Sequence, residues 1–189
     1  MQIAEEKNIH PVDAFLDLIV EYDQQIRWTT TIANDREEVL RDIYNYPYNI
    51  ISFSDAGAHL RNMAFYDFPL KMLKKVKEAI DQNQKFMSLE KAIWRLTKEQ
   101  SDWFGLDTCY LSEGKAATLN IINPEQLSNV TEKVFEDKIE EFNNYSRLVN
   151  RADGVVEKVF VNGYLVFDNG KFVEGYGNNQ KFGRFLKAG

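Results

Sequence analysis

The chain has 189 residues, 44% of them hydrophobic and 28% charged, a globular composition with enough length for one real core and no expectation of disorder. Its net charge of −6, with no Lys/Arg run longer than two residues, lacks the basic stripe of a nucleic-acid binder. No apolar run nears the ~20 residues of a membrane span. The N-terminal stretch lacks a signal peptide's layout, and the lone Cys109 permits no intrachain disulfide, so a reducing, cytoplasmic compartment is expected.

Residues 11–22 read as an amphipathic helix, with Pro11 in the first turn and Phe15, Leu18, Ile19 and Tyr22 at helical spacing. Residues 27–33 are β-branched and aromatic and predict a strand. Asn34, with Glu37 three residues later, gives a capping-box pattern for a helix over about 35–45, ended before Pro47. Residues 49–54 are a short, mostly apolar run that suits a buried parallel strand, and they lead into Asp55-Ala56-Gly57-Ala58-His59. Helices follow over about 68–82, 89–96 with Ser88 as N-cap, and 98–104, stopping at Gly105. Helix, strand, helix, strand, helices is the order of a parallel α/β fold.

After Gly105 the character changes. Residues 117–122 alternate as a strand, and strands over 155–161 and 164–168 flank Asn162-Gly163, a strong hairpin signal. A second tight turn is expected at Asp168-Asn169-Gly170, and the polar stretch 124–152 reads as a long surface excursion. The boundary between an α/β part and a small all-β part is placed near 105–115.

Asp55 is the leading candidate for chemistry. It follows a buried strand and precedes Gly57 and two alanines, where the backbone can turn and expose the carboxylate for metal binding or proton transfer. A loop Asp that caps the backbone would read the same way. His59 suits a second metal ligand or a structural partner. Arg61 suits a bidentate grip on a substrate carboxylate, or an ordinary exposed cation. His10 reads as a local turn residue and Cys109 as inert, with nothing nearby but Lys115 to lower its pKa. Lys71, Lys74, Lys75 and Lys77 read as the solvated face of an amphipathic helix rather than a phosphate patch. A hydrolytic zinc needs at least three protein ligands, and two His and one Cys with no His-x-His pair do not display that set.

Arg27-Trp28-Thr29-Thr30-Thr31-Ile32-Ala33-Asn34-Asp35, followed by Ser54-Asp55-Ala56-Gly57-Ala58-His59, resembles the D-aminoacylase branch of the amidohydrolase superfamily, the N-acyl-D-amino-acid deacylases. The similarity extends through Pro11–Leu18, Ser88–Ala92 with Leu96-Thr97, Phe104–Leu106, Leu111–Gly114 with Ala117, Val161–Gly163 and Gly183–Leu186. Thr118 departs from it, standing where the family often has Asp. The resemblance implies a (β/α)₈ barrel with a small β-sandwich, of which this chain would hold barrel strands seven and eight over 1–105 and part of the sandwich over 106–189. A whole barrel takes about 250 residues, more than this chain contains.

The resemblance also implies hydrolysis of the C–N amide bond of an N-acyl amino acid. Asp55 would be the catalytic acid/base and a metal ligand, with His59 beside it, and zinc would activate the water. The family's remaining ligands, an early His-x-His pair and later Cys, Lys or His, lie on strands that would precede Met1. The chain is therefore expected to be a fragment or half enzyme, partnered by an upstream barrel chain and by its small-molecule substrate, with no nucleic acid and no membrane. The alternative is a catalytically inactive binding or oligomerisation module.

Overall fold

The structure, a computed structural model, describes residues 2–188 apart from 29, 32, 132, 141 and 142. The chain divides into two compact units, Met1–Asp42 and Ile43–Gly189.

In the first unit, helix α1 (Gln2–Lys7) precedes α2 (Pro11–Tyr22). Proline fixes the first turn of α2, and His10 caps it, its Nδ1 accepting the Val12 N–H at 3.3 Å. His10 is thus the turn residue its position suggests. Ala4 and Ala14 are the small residues buried within these helices, while Leu16 and Val20 on α2 stay exposed. Phe15 rests against Trp28, ring centroids 4.9 Å apart.

The strand expected over 27–33 does not appear among its described residues: Arg27, Trp28, Thr30 and Thr31 belong to no element, and Thr29 and Ile32 lie outside the described residues. Helix α3 (Glu37–Asn45) starts later than expected. Asn34 is a turn residue at φ 63°, a left-handed conformation that Asn tolerates, and not the cap.

The second unit is built on α4 (Phe68–Asp81), α5 (Leu89–Leu96) and α6 (Lys98–Trp103). Met72, Leu73 and Val76 recur along one face of α4 and pack with Met87, Ala92 of α5, Leu127, Val130 and Val155. Ser88 caps α5 as expected, its Oγ accepting the Lys91 N–H at 3.1 Å. Gly105, at φ 63°, turns the chain after α6.

Strand β1 (Leu119–Ile122) pairs antiparallel with β4 (Val156–Val161), β4 with β5 (Tyr164–Asp168), and β5 with β6 (Lys171–Phe172), in the order β1-β4-β5-β6. Asn162-Gly163 and Asn169-Gly170 close the two hairpins, all four residues at positive φ as such two-residue turns require. Thr118 has a local role here, its Oγ1 accepting the Asn162 N–H at 3.1 Å.

Further expectations need correction. The stretch 124–152 is no surface excursion. A 3₁₀ turn at Pro124–Asn129 sends Leu127 into the core, and β2 (Phe135–Ile139) pairs with β3 (Tyr145–Val149) as a separate hairpin. Residues 49–54 form no strand. A strand exists by exchanging backbone hydrogen bonds with a neighbour, and here the carbonyls of Asn49 and Ile51 are taken by side chains of Arg95 and Gln100 instead. The fold observed is mixed α/β, with helices to Trp103, strands from Leu119, and small antiparallel sheets that stay open. The two expected barrel strands and a closed sandwich are not formed among the described residues.

Candidate functional site

Asp55 opens the turn that follows Ser54. Its backbone adopts φ 55°, and its carbonyl accepts the N–H groups of Ala58 at 2.9 Å and His59 at 3.1 Å. The turn is therefore made by Asp55 itself, a residue type that enters the left-handed region more readily than most. Gly57 has an ordinary φ and open space where a Cβ would stand, so it is not the hinge the sequence suggests. Ala56 is buried to 1% exposure and pegs the turn into the unit, leaving Asp55 and His59 facing solvent. The His59 carbonyl begins the next turn, accepting from Asn62 and Met63 at 3.0 and 2.9 Å.

The loop is held by β3. Leu148 N–H donates to the Leu60 carbonyl at 2.7 Å, and Asn150 N–H donates to the Tyr66 hydroxyl at 2.5 Å. The Arg147 guanidinium lies 5.5 Å from the Tyr66 ring centroid. Beyond the loop, buried Asp67 at the start of α4 pairs with Lys71 at 3.5 Å.

The three candidates thus share one loop with distinct surroundings. The side chains of Asp55 and His59 enter no hydrogen bond or ion pair among the described residues. Arg61 is exposed and faces Glu136 of β2 at 3.8 Å, the spacing of a loose surface ion pair. Among the described residues no group of three His, Cys, Asp or Glu side chains comes together. Asp55 and His59 alone do not fit a hydrolytic zinc, which takes three protein ligands.

Sequence reasoning missed the residues that hold the approach to Asp55. Arg95 is 1% exposed and donates to the carbonyls of Tyr46 and Asn49, each at 2.9 Å, and to Asn49 Oδ1 at 2.5 Å. Its Nε faces Glu99 at 3.4 Å. Gln100 Nε2 donates to the Ile51 carbonyl. The legible signal was an arginine three residues after Ala92 on the buried face of α5, with Glu99 one turn on. The long-range arrival of Glu136 beside Arg61 left no local signal.

Another titratable cluster lies after α6. Lys115 contacts both Asp107 carboxylate oxygens at 2.8 and 2.9 Å, and the Tyr110 hydroxyl donates to the same carboxylate. Lys115 first, then Tyr110, hold the Asp107 carboxyl below its ordinary value, and Asp107 in turn raises Lys115. Cys109 is exposed at φ 61° beside this cluster.

Three relatives match almost the whole chain: uncharacterized proteins of Mycobacterium bovis and of two Mycobacterium tuberculosis strains, each 42% identical over 192 residues, which is 99% of this chain. The chain spans 31% of the length of each. A dihydroorotase of Bacillus cytotoxicus is 32% identical over 102 residues, covering 54% of this chain and 20% of the enzyme. No family model matches, and neither does a solved structure. Among the described residues, no helix is long and apolar enough to cross a membrane.

Proposed function

We propose that this chain is the Asp55-bearing portion of an amidohydrolase of the N-acyl-D-amino-acid deacylase type, cleaving the amide C–N bond of an N-acyl amino acid. The observation that carries this reading is the Ser54–His59 turn, which presents an exposed carboxylate with no side-chain partner among the described residues. The partial likeness to a dihydroorotase, an amidohydrolase-superfamily enzyme, supports the broader class.

In this reading the Asp55 carboxylate accepts the proton of the attacking water and passes it to the departing nitrogen, while the carbonyl carbon gains the water oxygen. Arg61 grips the carboxylate of the amino-acid moiety once Glu136 is displaced from its 3.8 Å contact. Zinc belongs to the reading with Asp55 and His59 as two of its ligands. The rest come from an upstream barrel portion that residues 1–105 complete, while residues 106–189 contribute to a sandwich. The compartment assigned is the cytoplasm, which suits the lone Cys109.

One observation favours a second reading: the described residues bring no three metal-ligating side chains together, as a catalytically inactive binding or oligomerisation module would allow. The two part on one assay. A chimera carrying this chain in place of the matched segment of the Mycobacterium tuberculosis relative is supplied with N-acetyl-D-amino acids, and released amine is measured. Release that falls about 10²–10⁴-fold on Asp55→Asn supports the enzyme, the usual weight of an acid/base. Release untouched by that change, or none from any N-acyl amino acid, sinks it.

A further inference from the structure

The apolar spacing of α4 assigns Lys71, Lys74, Lys75 and Lys77 to a solvated face, yet all four are half-buried. Only 16% of the Lys71 side chain and 26% of the Lys74 side chain are exposed. Lys71, Lys74 and Lys75 line a cavity of about 230 Å³ together with Glu78, Val130 and Thr131. The Val130–Thr131 wall is fixed from behind. Val130 is 1% exposed, and the Thr131 carbonyl accepts from Nδ2 of buried Asn150 at 2.7 Å.

The charges are held in place as well. Lys71 pairs with buried Asp67 at 3.5 Å, and its ammonium lies 5.6 Å from the Phe65 ring centroid. Lys74 donates to the Val130 carbonyl at 2.7 Å, with Glu78 looser at 3.8 Å. Lys75 enters no hydrogen bond or ion pair among the described residues. An ammonium carries three donors and no acceptor, so Lys74 and Lys75 both keep N–H groups to give. Thr131 Oγ1 accepts the Lys133 N–H at 3.3 Å and still has its own proton to donate. Three cations and one carboxylate thus line the cavity.

Such a lining selects for an anion, and the donor type selects its shape. A planar carboxylate is matched by the fork of an arginine, whereas separate ammonium point charges suit a tetrahedral oxyanion. The volume lies below the ~300–1,000 Å³ of sites for drug-sized ligands, so the guest is small. We propose that this cavity binds phosphate, free or as the terminal group of a small phosphomonoester. Lys75 is the principal ligand, and Lys74, Lys71 and Thr131 support it. Glu78 works against the anion, by competing for Lys74 and by like-charge repulsion. The proposal does not rest on the amidohydrolase reading.

The test titrates the full chain of 189 residues with inorganic phosphate, in phosphate-free buffer at fixed ionic strength. Calorimetry gives the affinity, and NMR follows the backbone amides. Saturable binding is expected, with amide shifts concentrated at Lys75, Val130 and Thr131. Lys75→Met should weaken it about tenfold or more. Because Lys75 holds no internal partner, the circular dichroism of that variant should match the native chain. Glu78→Gln should tighten binding, and Lys171→Met on exposed β6 should leave it unchanged. Glycerol 3-phosphate bound as tightly as inorganic phosphate, or more so, assigns the site to a phosphomonoester, and weaker binding assigns it to the free ion. No saturable binding overturns the proposal. So does an affinity untouched by Lys75→Met, a loss of affinity on Glu78→Gln, or acetate bound as tightly as phosphate.

Discussion

The residues that matter most here are those whose surroundings differ from what their type alone predicts. Asp55 was legible as a candidate because an acidic residue directly after a mostly apolar run is unusual. Its left-handed φ was not legible, since Gly57 two residues on offered the less strained hinge. Arg95 hid in plain view, because a charged residue on a helix is by default assigned to solvent. The residue is in fact 1% exposed, and its guanidinium makes three hydrogen bonds to the Tyr46–Asn49 turn. Truncation to alanine should cost about 3–5 kcal/mol in a denaturant titration, as removing one partner of a buried ionic network does. A loss under about 1 kcal/mol would mean that water replaces the guanidinium there. Asp107 offers a pH test. Its folded-state pKa is depressed from 3.8 by Lys115 and Tyr110, so its favourable contribution is fully present above the unfolded value and fades as pH falls through the lower folded value. Lys115→Met should raise the Asp107 pKa toward 3.8, followed by NMR titration of the carboxyl carbon. No movement would contradict the pairing.

At the scale of elements, local signals did well wherever the element closes its own hydrogen bonds. Helices α2, α4 and α5 lie where their apolar spacing puts them, α2 and α5 with side-chain caps as well, because a helix needs no partner to form its ladder. Both tight hairpins likewise sit on their Asn-Gly steps. Expectation failed where pairing is long-range. The hairpin β2–β3 was hidden in a polar stretch because Phe135 and Ile139 enclose Glu136, Asp137 and Lys138, and only the partner strand reveals the pattern. Residues 49–54 failed the other way, a strand-like run with nothing beside it. Two substitutions weigh the local signals. Ser88→Ala should cost about 1 kcal/mol in thermal unfolding by removing the cap of α5. Gly163→Ala should cost a similar ~1 kcal/mol because an alanine at φ 86° is strained, although open space surrounds the position. If both unfold like the native chain, the caps and turns assigned here do not anchor the second unit.

At the scale of the whole molecule, the fold class was legible only as far as helices first and strands after, and the candidate site only as one loop with Asp55, His59 and Arg61 on it. The barrel and sandwich of the resemblance are not formed among the described residues, and the chain spans 31% of the length of its mycobacterial relatives. That shortfall joins the central observations: a carboxylate-bearing turn, a strand-like run that forms no strand, and two metal-capable side chains where catalysis by zinc takes three. On the reading proposed above, they are part of a site that another stretch of polypeptide would complete. The most direct measurement is zinc content by elemental analysis with light scattering, on the purified chain alone and bound to the remainder of the Mycobacterium tuberculosis relative. The account predicts no stoichiometric zinc on the chain alone, and stoichiometric zinc in the complex that Asp55→Ala lowers. Stoichiometric zinc on the isolated chain, lost on Asp55→Ala, would contradict it, because the chain would then build a full site from its own residues.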